Sequence, residues 1–188
     1  MSDLADKFKK EKYVYIHGII SPEESHELTK HMFALHEEKK TVKDDLCPLS
    51  ESIYNDEKFN IVLRKLCAPL SEILGIPLSP SYSYARLYKT GESLAPHLDR
   101  EACEISGTIT LGFDPSQKVW PISFGYAQDD GQLSGHSIDI EVGDAVMYRG
   151  TELGHWRTLF KGTWQVQLFL HYLNAEKNFG PRMSDGLI

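Results

Sequence analysis

The pattern of the chain changes at Pro80, and that change constrains the fold more than any other feature. Downstream, short β-rich runs at 81–89, 105–113, 119–126, 137–141, 144–149, 155–160 and 163–173 are separated by Gly, Pro, Asp and Ser. Branched and aromatic residues in short runs suit strands, and turn residues at this spacing suit closely connected ones. Upstream the pattern is helical: residues 3–11 are a polar, lysine-rich helix, followed by an extended run at Tyr13–Ile16. Ser21-Pro22-Glu23-Glu24 is a helix start, with Ser21 as cap, Pro22 at the first helical position and Glu24 completing a capping box. Leu28, Met32 and Leu35 carry that helix to about residue 38. A further helix runs from about Asp56 to Leu74, with Ile61, Leu63, Leu66 and Leu70 apolar and Gly75 as the stop. Pro69 is expected to kink or split it. The expectation is an α+β chain forming a single domain over 1–188: mainly helical support at 1–79, a β sandwich or barrel at 80–173, and a loosely held tail at 174–188.

Charge and composition narrow the function classes. The net charge of −7 disfavours nucleic acid as a partner, because neutralising phosphates takes clustered Lys and Arg. No apolar run reaches the roughly 20 residues that span a bilayer, so no membrane partner is expected. Asp3, Asp6 and the lysines near the N-terminus have no apolar stretch behind them, so no signal peptide is expected. Cys47, Cys67 and Cys103 are an odd number without a C-x-x-C, which suits a reducing, cytoplasmic setting. The oligomeric state is not readable.

His97-Leu98-Asp99 carries the chemistry. In a strand, residues i and i+2 project from one face, so His97 and Asp99 can reach a single ion together. A second histidine from a distant strand completes a facial triad of two imidazoles and a carboxylate, leaving the opposite face of an octahedral iron(II) open. Alone, the tripeptide is equally well a surface pair at a strand end. Its context adds a turn before it, Thr90-Gly91-Glu92-Ser93, and a later Gly143-Asp144 turn that feeds an apolar strand toward His155. His155 is therefore the expected third ligand. His171, among Phe169, Leu170 and Tyr172, reads as a core or rim histidine, and Cys103 as a buried structural cysteine rather than a soft ligand.

The run from Tyr84 to His171 resembles the 2-oxoglutarate- and iron(II)-dependent oxygenases, and among them the prolyl 4-hydroxylase-like branch. The resemblance rests on Tyr88-x-x-Gly91, His97-x-Asp99, Thr108-Ile109-Thr110-Leu111, Gly143-Asp144 and His155-x₆-Gly162, about half of the chain. It implies a double-stranded β-helix, or jelly roll, with N-terminal supporting helices. It implies iron(II), 2-oxoglutarate and O₂ as cofactor and cosubstrates, with His97, Asp99 and His155 on the metal. Tyr88 and Thr108 match positions that hold the distal carboxylate of 2-oxoglutarate. The implied activity is hydroxylation of a C–H bond in a peptidyl proline, an amino acid or another small substrate. Retention of Asp99 favours hydroxylation over the halogenation found where a small residue replaces that carboxylate.

One position departs from the family. An Arg or Lys normally stands about ten residues after the distal histidine to pair with the distal carboxylate, and here that residue is Gln165. An amide hydrogen bond is roughly half as strong as a charge-assisted one. Arg86 alternates with Tyr84 and Tyr88, and Arg157 shares a period-two face with His155, so each is a substitute cation, Arg86 ranked first. Two other functions stay open: a nucleobase demethylase of the same superfamily, and a non-catalytic cupin-like metal- or ligand-binding module.

Overall fold

The computed structural model describes residues 3–127 and 132–177, so most of the expected tail lies outside the described residues. Three helices lie where local signals place them: α1 Asp3–Glu11, α2 Pro22–Glu37 and α3 Glu57–Leu74. Ser21 Oγ accepts the Glu24 N–H at 3.2 Å, which is half of a capping box. The Glu24 carboxylate goes instead to Lys65 Nζ at 2.6 Å, joining α2 to α3. Asp56 caps α3 by accepting the N–H groups of Lys58 and Phe59, and Gly75 ends it in the left-handed conformation at φ 64°. Pro69 does not split α3. Its position is exposed, so the carbonyl its missing N–H leaves unpaired faces water. Ile61 is likewise 52% exposed, while Phe59 and Val62 take the inward positions.

The strands are β1 Tyr13–Ile16, β2 Glu51–Tyr54, β3 Leu78–Lys89, β4 Leu94–His97, β5 Ile105–Phe113, β6 Ile122–Ala127, β7 Leu133–Ile138, β8 Ala145–Arg149, β9 Gly154–Arg157 and β10 Trp164–Asn174. They form two antiparallel sheets, a six-stranded one ordered β1-β8-β5-β10-β3-β2 and a four-stranded one ordered β4-β9-β6-β7. Three of these strands lack a clear sequence signature. β2 has four residues, β7 is mostly exposed, and β4 contains Pro96, which an edge position tolerates because no ladder N–H is needed there.

Period-two alternation gives the large sheet two different faces. Ala85, Leu87, Ile109, Met147, Val166, Leu168 and Leu170 point to the helices and share a core with Met32, Phe59, Leu63 and Leu66. Burying each large side chain there contributes roughly 1.5–3 kcal/mol, which is what holds the helices on the sheet. The opposite face is polar and aromatic. Across β3 and β10, Tyr88 pairs with Gln165, Arg86 with Gln167, Tyr84 with Phe169 and Tyr82 with His171. This face looks toward the four-stranded sheet, where Phe124 contacts Tyr148 and Trp120 contacts Tyr88.

The Gly143-Asp144 turn has a structural task. Gly143 has φ +85°, and a Cβ there would lie 2.6 Å from Ile20 O. The Asp144 carboxylate accepts Tyr15 Oη–H at 2.6 Å and Gly18 N–H at 2.6 Å, tying β8 to the chain between β1 and α2.

Candidate metal centre

His97 ends β4 and pairs in register with His155 on β9, so antiparallel pairing alone brings the two rings together. Their centroids are 4.2 Å apart. His97 Nδ1 lies 2.9 Å from Ala95 O, and His155 Nδ1 lies 3.1 Å from Leu153 O. A carbonyl only accepts, so both Nδ1 atoms donate, and in the neutral ring each Nε2 then presents its lone pair. Those Nε2 atoms sit 3.8 and 3.5 Å from Asp99 Oδ1, and the three donors all lie within 4.8 Å of one another.

Asp99 reaches this point by a different route from the expected one. β4 stops at His97, so strand alternation does not place the carboxylate. The Asp99 N–H donates to Gly150 O at 2.8 Å, and Ser106 Oγ donates to Asp99 Oδ2 at 2.7 Å. Gly150 leaves the room this needs, because a Cβ there would lie 2.3 Å from Asp99 Oδ2. Burial pushes the Asp99 pKa up, but the hydrogen bond and charge of His155 and the Ser106 hydroxyl outweigh it and hold the carboxyl below its ordinary value. For His97, burial and then His155 lower the pKa, favouring the neutral ring. A deprotonated carboxylate and neutral imidazoles are the states that bind a divalent ion.

The three residues open onto a cavity of about 520 Å³ whose wall also includes Arg86 and Tyr88. Arg86 is buried, with Nη2 2.5 Å from Asp44 Oδ2 and 2.8 Å from Tyr84 Oη, and Nη1 3.0 Å from Cys47 Sγ and 3.4 Å from Tyr88 Oη. Arg157 also lies near Tyr88, its guanidinium 5.8 Å from the Tyr88 ring and 4.9 Å from that of Trp120. Its Nη1 donates to Trp120 O, and no carboxylate lies within ion-pair distance of it among the described residues. Arg86 Nε, Arg157 Nε and Arg157 Nη2 are buried with no hydrogen-bond partner. Orphaned charged donors in a protein interior are costly, and of the two arginines only Arg86 is on the cavity wall, where it marks a place for an anion.

The remaining two expected residues are occupied elsewhere. Gln165 Oε1 accepts Trp120 N–H at 2.8 Å and its Nε2 donates to Trp120 O at 3.1 Å, so the whole amide serves that backbone. Thr108 Oγ1 donates to Gln167 Oε1 at 3.0 Å, and Gln167 Nε2 donates to Thr110 Oγ1 at 2.8 Å. Neither Gln165 nor Thr108 lines the cavity, and neither does Arg157. Asp44 was not anticipated: in Lys43-Asp44-Asp45 it reads as a solvated charge, and only long-range folding sets it on Arg86. Burial raises its pKa, but hydrogen bonding from Tyr84 and the charge of Arg86 bring it below the ordinary value.

The chain has the fold seen in solved 2-oxoglutarate- and iron(II)-dependent oxygenases, prolyl hydroxylases among them. The structures it is similar to include a prolyl-4-hydroxylase from Pseudomonas putida, at a TM-score of 0.71 and 15% identity over 90% of this chain and 96% of that one. Another is SnoK, a non-heme alpha ketoglutarate dependent carbocyclase from nogalamycin biosynthesis, at 0.74 and 15% over 99% and 89%. HygX from Streptomyces hygroscopicus, solved with nickel and 2-oxoglutarate, matches at 0.72 and 13% over 94% and 88%. No protein-family model matches the sequence, and no curated protein matches it.

Proposed function

We propose that this protein is an iron(II)- and 2-oxoglutarate-dependent dioxygenase that hydroxylates a C–H bond of a peptidyl proline, an amino acid or another small substrate. The observation that carries the reading is the convergence of two imidazoles and a carboxylate on one cavity whose wall also holds the buried Arg86 guanidinium. The strand orders support a jelly roll of eight strands, β3 to β10, as β8-β5-β10-β3 facing β4-β9-β6-β7.

His97 and His155 would hold the iron through Nε2 and Asp99 through its carboxylate, three ligands on one face. Held there, iron(II) with 2-oxoglutarate and O₂ would supply the oxidant. The chain's residues do the positioning. Ala95 and Leu153 carbonyls orient the rings, and Ser106 and Gly150 hold Asp99. Arg86 and the Tyr88 hydroxyl, on the cavity wall, bind the distal carboxylate, with the Arg157 charge near the Tyr88 ring reinforcing them. Leu94, Ile122 and Phe169 exclude water around the reacting atoms.

Anaerobic titration with iron(II) and 2-oxoglutarate tests this. The weak metal-to-ligand charge-transfer band of the keto-acid chelate is expected in the wild type and absent in His155→Ala. Iron binding without that band, at saturating 2-oxoglutarate, would leave a metal-binding module and reject the oxygenase.

A further inference from the structure

Asp99 belongs to a second set of donors. Its carboxylate, the Cys103 sulfur and an imidazole nitrogen of His171 lie within 4.8 Å of one another, and all three residues line the cavity. Asp99 and Cys103 lie four residues apart on the segment between β4 and β5, and His171 comes from β10. The approach of His171 to that segment depends on tertiary structure, and the three residues are of three different donor types.

The two oxygens of Asp99 divide the work. Oδ1 is the oxygen near His97 and His155, while Oδ2 faces Ser106 Oγ, which also lies 2.9 Å from His171 Nδ1. Asp99 is the residue common to both donor sets. The two sets also differ in softness. Two imidazoles and a carboxylate suit iron(II), whereas thiolate, imidazole and carboxylate form the mixed set that selects zinc-like ions. Cys103 lines the cavity with its sulfur 2.8 Å from Tyr82 Oη; burial pushes its thiol pKa up, so metal coordination there has to displace the thiol proton.

We propose that Asp99, Cys103 and His171 form a second metal site for a soft divalent ion such as zinc, fused through the shared carboxylate to the His97–Asp99–His155 centre. An ion there occupies part of the substrate cavity, so zinc in excess of iron acts as an inhibitor.

Cobalt(II) is the probe, because a cobalt–thiolate bond absorbs strongly in the near ultraviolet and the first site contains no sulfur. Anaerobic titration of the metal-free protein is expected to develop that absorption in the wild type, in His97→Ala and in Cys47→Ser, and not in Cys103→Ser. Zinc is expected to abolish it and magnesium to leave it. His171→Gln is expected to weaken the cobalt–thiolate affinity at least about tenfold, which keeps the test valid if Cys103→Ser fails to fold. The proposal is overturned if the wild type shows no thiolate absorption, if Cys103→Ser retains it, or if His171→Gln binds as tightly as wild type.

Discussion

At Asp99 one carboxylate is held from several directions: Gly150 O takes its N–H, Ser106 binds Oδ2, and two imidazole nitrogens face Oδ1. Gly150→Ala places a methyl group 2.3 Å from Oδ2 and 2.5 Å from Cys103 O, so both contacts must be relieved and the Asp99 carboxylate is displaced. The expected outcome is a loss of iron(II) or manganese(II) affinity of at least about tenfold with circular dichroism unchanged. Calorimetry checks it, and wild-type affinity would mean that Gly150 matters only for local packing. The cavity wall makes a second residue-scale prediction. Arg86→Gln is expected to raise the 2-oxoglutarate requirement by roughly one to two orders of magnitude, the scale of a hydrogen bond to a charged group at about 1.5–3 kcal/mol. Arg157→Gln is expected to have a smaller effect, because Arg157 does not line the cavity. Initial rates of succinate formation at varied 2-oxoglutarate compare them, and the reverse order would move the carboxylate toward Arg157.

Two junctions between elements depend on single aspartates. Asp56 caps α3 and also lies 2.8 Å from His31 Nε2 on α2, so it both starts a helix and fastens its neighbour. Asp56→Ala is expected to cost about 1–2 kcal/mol, read as a lower urea midpoint with an unchanged slope. Asp144 joins β8 to the chain after β1. Burial raises its pKa, but the Tyr15 hydroxyl, the Gly18 N–H and His17 together bring it below the ordinary carboxyl value. A depressed folded-state pKa contributes stability that is complete above the unfolded value near 4 and is lost as pH falls through the folded value. Stability is therefore expected to fall between pH 5 and 3 on the order of 1 kcal/mol more steeply in wild type than in Asp144→Asn. Urea melts across that range measure it, and parallel curves would assign the acid sensitivity to other carboxylates.

For the molecule as a whole, a ligand bound only to the folded state raises its apparent stability by mass action. Manganese(II) with 2-oxoglutarate, each at about a hundredfold over its dissociation constant, contributes roughly 2.7 kcal/mol per independent site. In a chain of 188 residues that is a rise of about 5–10 °C in melting temperature. The rise is expected to vanish on chelation and in His155→Ala, whose own melting temperature stays near that of the metal-free wild type. A metal-dependent rise that survives His155→Ala would place the ion elsewhere.

Much of the architecture is local, and local physics is legible in a sequence. Ser21, Pro22, Asp56 and Gly75 mark helix ends because capping and left-handed geometry depend on a few neighbouring residues. Tyr84, Arg86 and Tyr88 share a face because strand alternation has a period of two. The tertiary structure alone decided the rest. Edge strands β2, β4 and β7 carry weak hydrophobic patterns because a partly solvated strand needs little apolar surface. Asp99 leaves its strand because Gly150, some fifty residues later, accepts its N–H. Gln165 is committed to Trp120, Asp44 to Arg86, and Cys103 and His171 meet at Asp99, contacts that follow from register and packing between distant segments. Residue type and period state which face a side chain takes, but which group waits across the cavity is set only when the sheets close.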